Sequence, residues 1–124
     1  KKYNLVSALN PEAEGKTLVL NGHLDVVSAT HFDMWTQAPN IPWEKDGWLY
    51  GRGAGDMQSG VAVMIYAVHA IHHAGYQINS PLTIQAVIEE ECTGNGALAC
   101  LERGYDGDYV LIPELFGPQI YRCI

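Results

Sequence analysis

Apolar residues fall in short, nearly unbroken runs divided by glycine, proline and charged residues. Thr17-Leu18-Val19-Leu20 is almost wholly apolar and stops at Asn21-Gly22, the pattern of a buried strand in a mostly parallel sheet. Residues 28–46 show no period and carry Pro39, Pro42, Trp35 and Trp43, which predicts a long irregular loop. Asp46-Gly47 signals a turn into a short strand at Trp48-Leu49-Tyr50. Val61, Met64, Val68 and Ile71 recur at helical spacing, so a helix is expected over 60–74 with that stripe buried, Ser59 as its N-cap and Gly75 as its stop. Pro81 opens a strand over 82–88, rich in β-branched residues. A shorter helix over 96–103 is closed by Gly104, Tyr109-Val110-Leu111-Ile112 reads as a third buried strand, and residues 119–124 as the start of another.

Strand, loop, strand, helix, strand, helix, strand is the order of an α/β layer fold, in which ligands collect at the carboxyl ends of the strands. Those ends carry the histidine and acidic residues. Four patches follow one another: Gly22-His23-Leu24-Asp25, Gly53-Ala54-Gly55-Asp56-Met57, Glu89-Glu90-Glu91 and Pro113-Glu114. One imidazole with several carboxylates at a sheet edge is a ligand set for a Zn²⁺-type hydrolytic site, with carboxylates to spare for proton transfer.

Each patch alone is ambiguous. His23 and Asp25 point the same way on an extended segment, so Asp25 is expected to hold the second ring nitrogen of His23; the alternative is a turn aspartate beside a surface histidine. Asp56 follows a glycine-rich stretch, which permits close ligand approach or is simply a flexible turn. The phosphate-loop pattern fails because Val61 stands where lysine is needed, and the dinucleotide fingerprint fails at Asp56 and Gln58. Three adjacent glutamates repel one another, and a metal at the strand end would relieve that; one can ligate while the next acts as base. Glu114 alone is an ordinary loop carboxylate. A rival site is His69, His72 and His73, with His69 and His73 one helical turn apart, but no carboxylate lies near them in sequence. Cys92 beside the glutamates is a poor nucleophile, since anionic surroundings raise a thiol pKa.

Composition narrows the partners. The 124 residues, 48% hydrophobic, suit one globular domain. A net charge of −7 with seven Lys and Arg argues against nucleic acid or an anionic membrane. No apolar run approaches the roughly 20 residues of a membrane span. Cys92, Cys100 and Cys123 form no CxxC pair, which points to a reducing, cytoplasmic compartment. The chain lacks a signal peptide and an initiator Met, and reads as a piece of a longer protein.

Taken in order, Gly22-His23-Leu24-Asp25-Val26-Val27, Gly51-Arg52-Gly53-Ala54-Gly55-Asp56-Met57, the glutamate triple and Asp108-Tyr109-Val110-Leu111-Ile112-Pro113-Glu114 resemble the co-catalytic zinc aminoacylases. That family includes acetylornithine deacetylase, succinyl-diaminopimelate desuccinylase, aminoacylase and carboxypeptidase G. The resemblance implies a three-layer zinc-exopeptidase-like α/β fold, incomplete here, with residues 1–124 forming part of a metallohydrolase catalytic domain. It implies that His23 binds the first metal, Asp25 orients His23, Asp56 bridges two metals and joins Met57 through a cis peptide, Glu90 is the general base, Glu91 binds the second metal and Glu114 completes the first. The implied reaction is amide hydrolysis of N-acyl amino acids by metal-activated water. The metal is Zn²⁺, one or two ions, with Co²⁺ or Mn²⁺ also fitting the donors. Alternatives are a dipeptidase or carboxypeptidase of the same family, or a non-catalytic metal-binding relative. The family's further histidine ligand and its lid and homodimerisation domain are expected downstream of this chain. Two local departures are Glu89, where the family usually has Asp, and Leu115-Phe116 after Glu114.

Overall fold

A computed structural model describes residues 2–114 and 120. Its centre is a four-stranded sheet in the order β1 (Leu5–Leu9), β5 (Leu82–Val87), β2 (Leu18–His23), β6 (Tyr109–Leu111). β2 runs parallel to both β5 and β6, and β1 pairs antiparallel with β5. The sheet is therefore mixed, as expected of an α/β layer fold, with an antiparallel edge strand that the sequence pattern left unread. A separate hairpin pairs β3 (Trp43–Lys45) with β4 (Trp48–Tyr50), so the stretch read as one irregular loop holds a strand. Trp43 stacks on Tyr50 across that hairpin at 4.3 Å between ring centroids.

Alternation along the strands divides the core. Leu18, Leu20, Leu82 and Ile84 face helix α1 (Gly60–His73), which lays Val61 and Met64 onto them. On the opposite face Asn21 donates to Gln85, and Gln85 donates to the carbonyl of Tyr105, just past helix α2 (Asn95–Leu101). Thus the buried Gln85 is satisfied within the fold.

The predicted C-terminus of α1 is present in full. Gly75 sits at φ 83°, its N–H donates to His72 and the N–H of Tyr76 donates to Ile71, the paired bonds by which an αL glycine closes a helix. The predicted start is different. Ser59 is itself helical and its hydroxyl donates to the Gly55 carbonyl, because an irregular turn over Ala54–Ser59 leads straight into α1. Of the predicted stripe, Val61 and Met64 are buried and Val68 partly so, whereas Ile71 is exposed. β6, expected to be buried, is an exposed edge strand. The strand expected at 119–124 lies outside the described residues apart from Ile120.

Candidate metal and hydrolytic site

Parallel register brings the patches together. His23, the last residue of β2, pairs with Val87, the last of β5, and the Leu24 N–H donates to the Val87 carbonyl at 2.8 Å. Glu90 follows Val87 by three residues. On the other flank Leu111 pairs with Leu20, so the same register carried three residues on sets Glu114 level with His23. Pro113 can pass because residue 60 is glycine: a Cβ there would overlap the Pro113 carbonyl oxygen.

Asp56 is delivered from the side. Gly53 is at φ 81°, and a Cβ on it would lie 2.6 Å from Val26 Cγ1, so the position demands glycine on two counts. The Arg52 guanidinium lies 5.2 Å over the Trp35 ring, and the Arg52 backbone N–H donates to the Pro39 carbonyl at 2.8 Å, pinning the glycine loop to residues 28–46. Met57 is fully buried, the Asp56–Met57 peptide is cis, and the Gln58 side chain donates to the Leu24 carbonyl at 3.0 Å. In the sequence Gln58 counted only as a departure from the dinucleotide fingerprint, because its partner, the Leu24 carbonyl, is distant in sequence.

His23 is the centre of the arrangement and is buried, with 1% of its surface exposed. Its Nδ1 lies 2.8 Å from the backbone carbonyl of Asp25 and so carries the proton. The Asp25 carboxylate is 3.8 Å from that nitrogen and instead accepts the backbone N–H groups of Glu90 at 3.2 Å and Glu91 at 3.3 Å. Asp25 therefore meets His23 through its carbonyl, and its carboxylate holds the glutamate turn. The other ring nitrogen, Nε2, faces Asp56 Oδ1 at 3.0 Å, Glu114 Oε1 at 3.3 Å and Glu90 Oε2 at 3.8 Å.

In the neutral tautomer fixed by the Asp25 carbonyl, Nε2 is an acceptor surrounded by acceptors. A shared proton, a bridging water or a cation between them resolves that. Burial on its own pushes the His23 pKa down, but the Asp25 carbonyl, the Asp56 hydrogen bond and the charges of Glu90 and Glu114 outweigh it and hold the imidazole above its ordinary value. Among the described residues, ligand atoms of His23, Asp56 and Glu91 lie within 4.8 Å of one another. A nitrogen and several carboxylate oxygens fit a divalent ion such as Zn²⁺. Glu89 points away from this cluster: its side chain pairs with Lys2 at 2.8 Å and with Thr93. His69 and His73 stack on the exposed side of α1, 6.1 Å apart between ring centroids.

The sequence matches Peptidase family M20/M25/M40 over residues 19–121. It is 38% identical over 102 residues to N-formyl-4-amino-5-aminomethyl-2-methylpyrimidine deformylase of Bacillus subtilis (strain 168), covering 82% of this chain and 24% of that protein. It is 35% identical over 102 residues to succinyl-diaminopimelate desuccinylase of Herminiimonas arsenicoxydans, covering 78% and 27%. Among solved structures, human carnosine dipeptidase 1 superposes with a TM-score of 0.69 at 30% identity, over 88% of this chain and 24% of that one. The chain spans about a quarter of the length of the curated relatives it matches.

Proposed function

This chain belongs to Peptidase family M20/M25/M40, and from that premise we propose that it carries the first part of a divalent-metal amidohydrolase centre. His23, Asp56, Glu91 and Glu114 hold the metal, Asp25 positions, and Glu90 is the general base. The observation that carries the proposal is the buried His23 ring, whose Nδ1 is committed to a carbonyl and whose Nε2 is turned to Asp56, Glu90 and Glu114. When bound, Zn²⁺ (or Co²⁺ or Mn²⁺) supplies Lewis-acid polarisation of the amide carbonyl and acidification of water.

The chain's own residues do the rest. Glu90 accepts a proton from the attacking water and returns it to the departing amine nitrogen, a transfer worth about 10²–10⁴ in rate. The two N–H bonds from Glu90 and Glu91 to the Asp25 carboxylate keep that base and its neighbouring ligand in register with His23.

The proposed substrate is a small N-acyl amine or N-acyl amino acid cleaved at the amide, a reading supported by the likeness to a deformylase and a desuccinylase. The likeness to human carnosine dipeptidase 1 favours a dipeptide as the second reading. Residues 1–124 form part of a catalytic domain in this proposal, acting in the cytoplasm, with homodimer contacts in a further domain. Among the described residues no helix is long and apolar enough to cross a membrane. The test is a panel of N-formyl, N-acetyl and N-succinyl amino acids and dipeptides, assayed with each metal in the longest natural chain containing this sequence. Metal-dependent release of amine from at least one class is expected; no release from any class with metal bound would leave a binding protein.

A further inference from the structure

The glutamates ride on a turn, and the turn is held from a distance. Glu90 and Glu91 lie in the segment 88–96, between the end of β5 and the first turn of α2. Both ends of that segment meet one side chain. Asn4, just ahead of β1, accepts the Ile88 N–H on Oδ1 at 3.2 Å and donates from Nδ2 to the Gly96 carbonyl at 2.6 Å, with Cys100 Sγ 3.3 Å from the same nitrogen. Ile88 and Gly96 are already in close contact: a Cβ on Gly96 would lie 2.7 Å from Ile88 N and 2.9 Å from its carbonyl carbon.

We propose that Asn4 is a positioning residue for the hydrolytic centre, its carboxamide clamping the two ends of the segment that carries Glu90 and Glu91. The task needs a donor and an acceptor on one short planar group, which asparagine supplies and aspartate does not. Neighbouring contacts act in the same sense. Lys2 pairs with Glu89, and the Glu89 carbonyl accepts the N–H groups of Thr93 at 3.0 Å and Gly94 at 2.7 Å. From the other side the Asp25 carboxylate takes the Glu90 and Glu91 N–H groups. The segment preceding β1 thereby braces a turn some 85 residues away in sequence. The clamp is read from the protein alone; only its effect on metal binding rests on the proposed function.

Backbone amide exchange in the full chain, metal-free, tests it. Asn4→Ala and Asn4→Asp are compared with wild type and with Leu9→Ala, a substitution at the far end of β1. The amides of Glu90, Glu91, Thr93 and Gly94 are all hydrogen-bonded, so loss of the clamp is expected to raise their exchange about tenfold in both Asn4 variants. Amides of Leu20 and Ile84 should stay at their wild-type rates. Unchanged exchange at the four turn amides in both Asn4 variants, or equal opening in Leu9→Ala, overturns the proposal. A second arm follows the absorption spectrum of bound Co²⁺, which should shift in the Asn4 variants and not in Leu9→Ala. An unshifted spectrum in both Asn4 variants also overturns it. Wild type failing to bind Co²⁺ counts against the metal centre itself, and the exchange arm then decides the clamp.

Discussion

Gly60→Ala tests how Glu114 reaches His23. Gly60 is helical (φ −62°, ψ −44°), so alanine is compatible with its backbone, and Gly→Ala in a helix gains up to about 1 kcal/mol. The obstacle is steric. The new methyl would overlap the Pro113 carbonyl oxygen, and would lie 3.3 Å from its carbonyl carbon and 2.8 Å from Met57 Cε. Met57 is fully buried and Pro113 is backbone, so the strand exit must move. Overpacking of this kind costs about 1–3 kcal/mol, which at full offset by the helix gain leaves a net loss of up to roughly 2 kcal/mol and a Tm lower by up to about 8 °C. Displacing Pro113 also moves Glu114 away from Nε2 of His23, so metal affinity should fall about 10–100-fold. Gly22→Ala is the comparison: its methyl meets only side-chain ends, Met64 Cε at 2.9 Å, Met57 Cε at 3.0 Å and Val61 Cγ2 at 3.1 Å, and should cost less and spare the metal. Thermal melts and metal titration of both variants decide it. Wild-type Tm and affinity in Gly60→Ala, with both lost in Gly22→Ala, would refute the reasoning.

Glu90→Gln should retain the metal and lose about 10²–10⁴ of turnover in a steady-state assay; unchanged turnover removes Glu90 as the base. The raised His23 pKa gives two linked pH effects. Stability from the protonated ring is fully present below the unfolded value of about 6.5 and is lost as pH rises through the folded pKa, so the metal-free Tm should decline across that window. Metal binding displaces that proton, so affinity should rise about tenfold per pH unit until the folded pKa is passed, and calorimetry in several buffers should show one proton released. Met57→Ala, which empties a fully buried side chain beneath Asp56, should cost about 2–5 kcal/mol in a urea melt.

What the sequence revealed follows from the range of the interactions involved. α1 and its Gly75 stop, β2, β5 and the positions of all four patches were legible because apolar runs and glycine act locally. β1 was missed because Leu5, Ser7 and Ala8 are exposed, so the strand has no buried face to set a period. β3 was missed because it is only three residues long, too short for an alternating pattern to register. Ser59 was misassigned because a capping signal assumes the helix has no preceding turn. At the site, residue types and spacing pointed to His23, Asp56 and the glutamates, but which atom of Asp25 meets His23 depends on the turn at Glu89, whose φ of 64° redirects the chain after β5. The same is true of Asn4 and Gln58, whose partners are backbone groups far off in sequence and leave no trace in residue type.

The most direct test of the metal centre is calorimetric titration of the metal-free chain with Zn²⁺, beside Asp56→Ala and Glu91→Gln. Saturable stoichiometric binding is expected in wild type, lost in Asp56→Ala and weakened in Glu91→Gln. Binding that is absent in wild type, or that survives unchanged in both variants, would contradict the assignment of this strand-end cluster as the metal site.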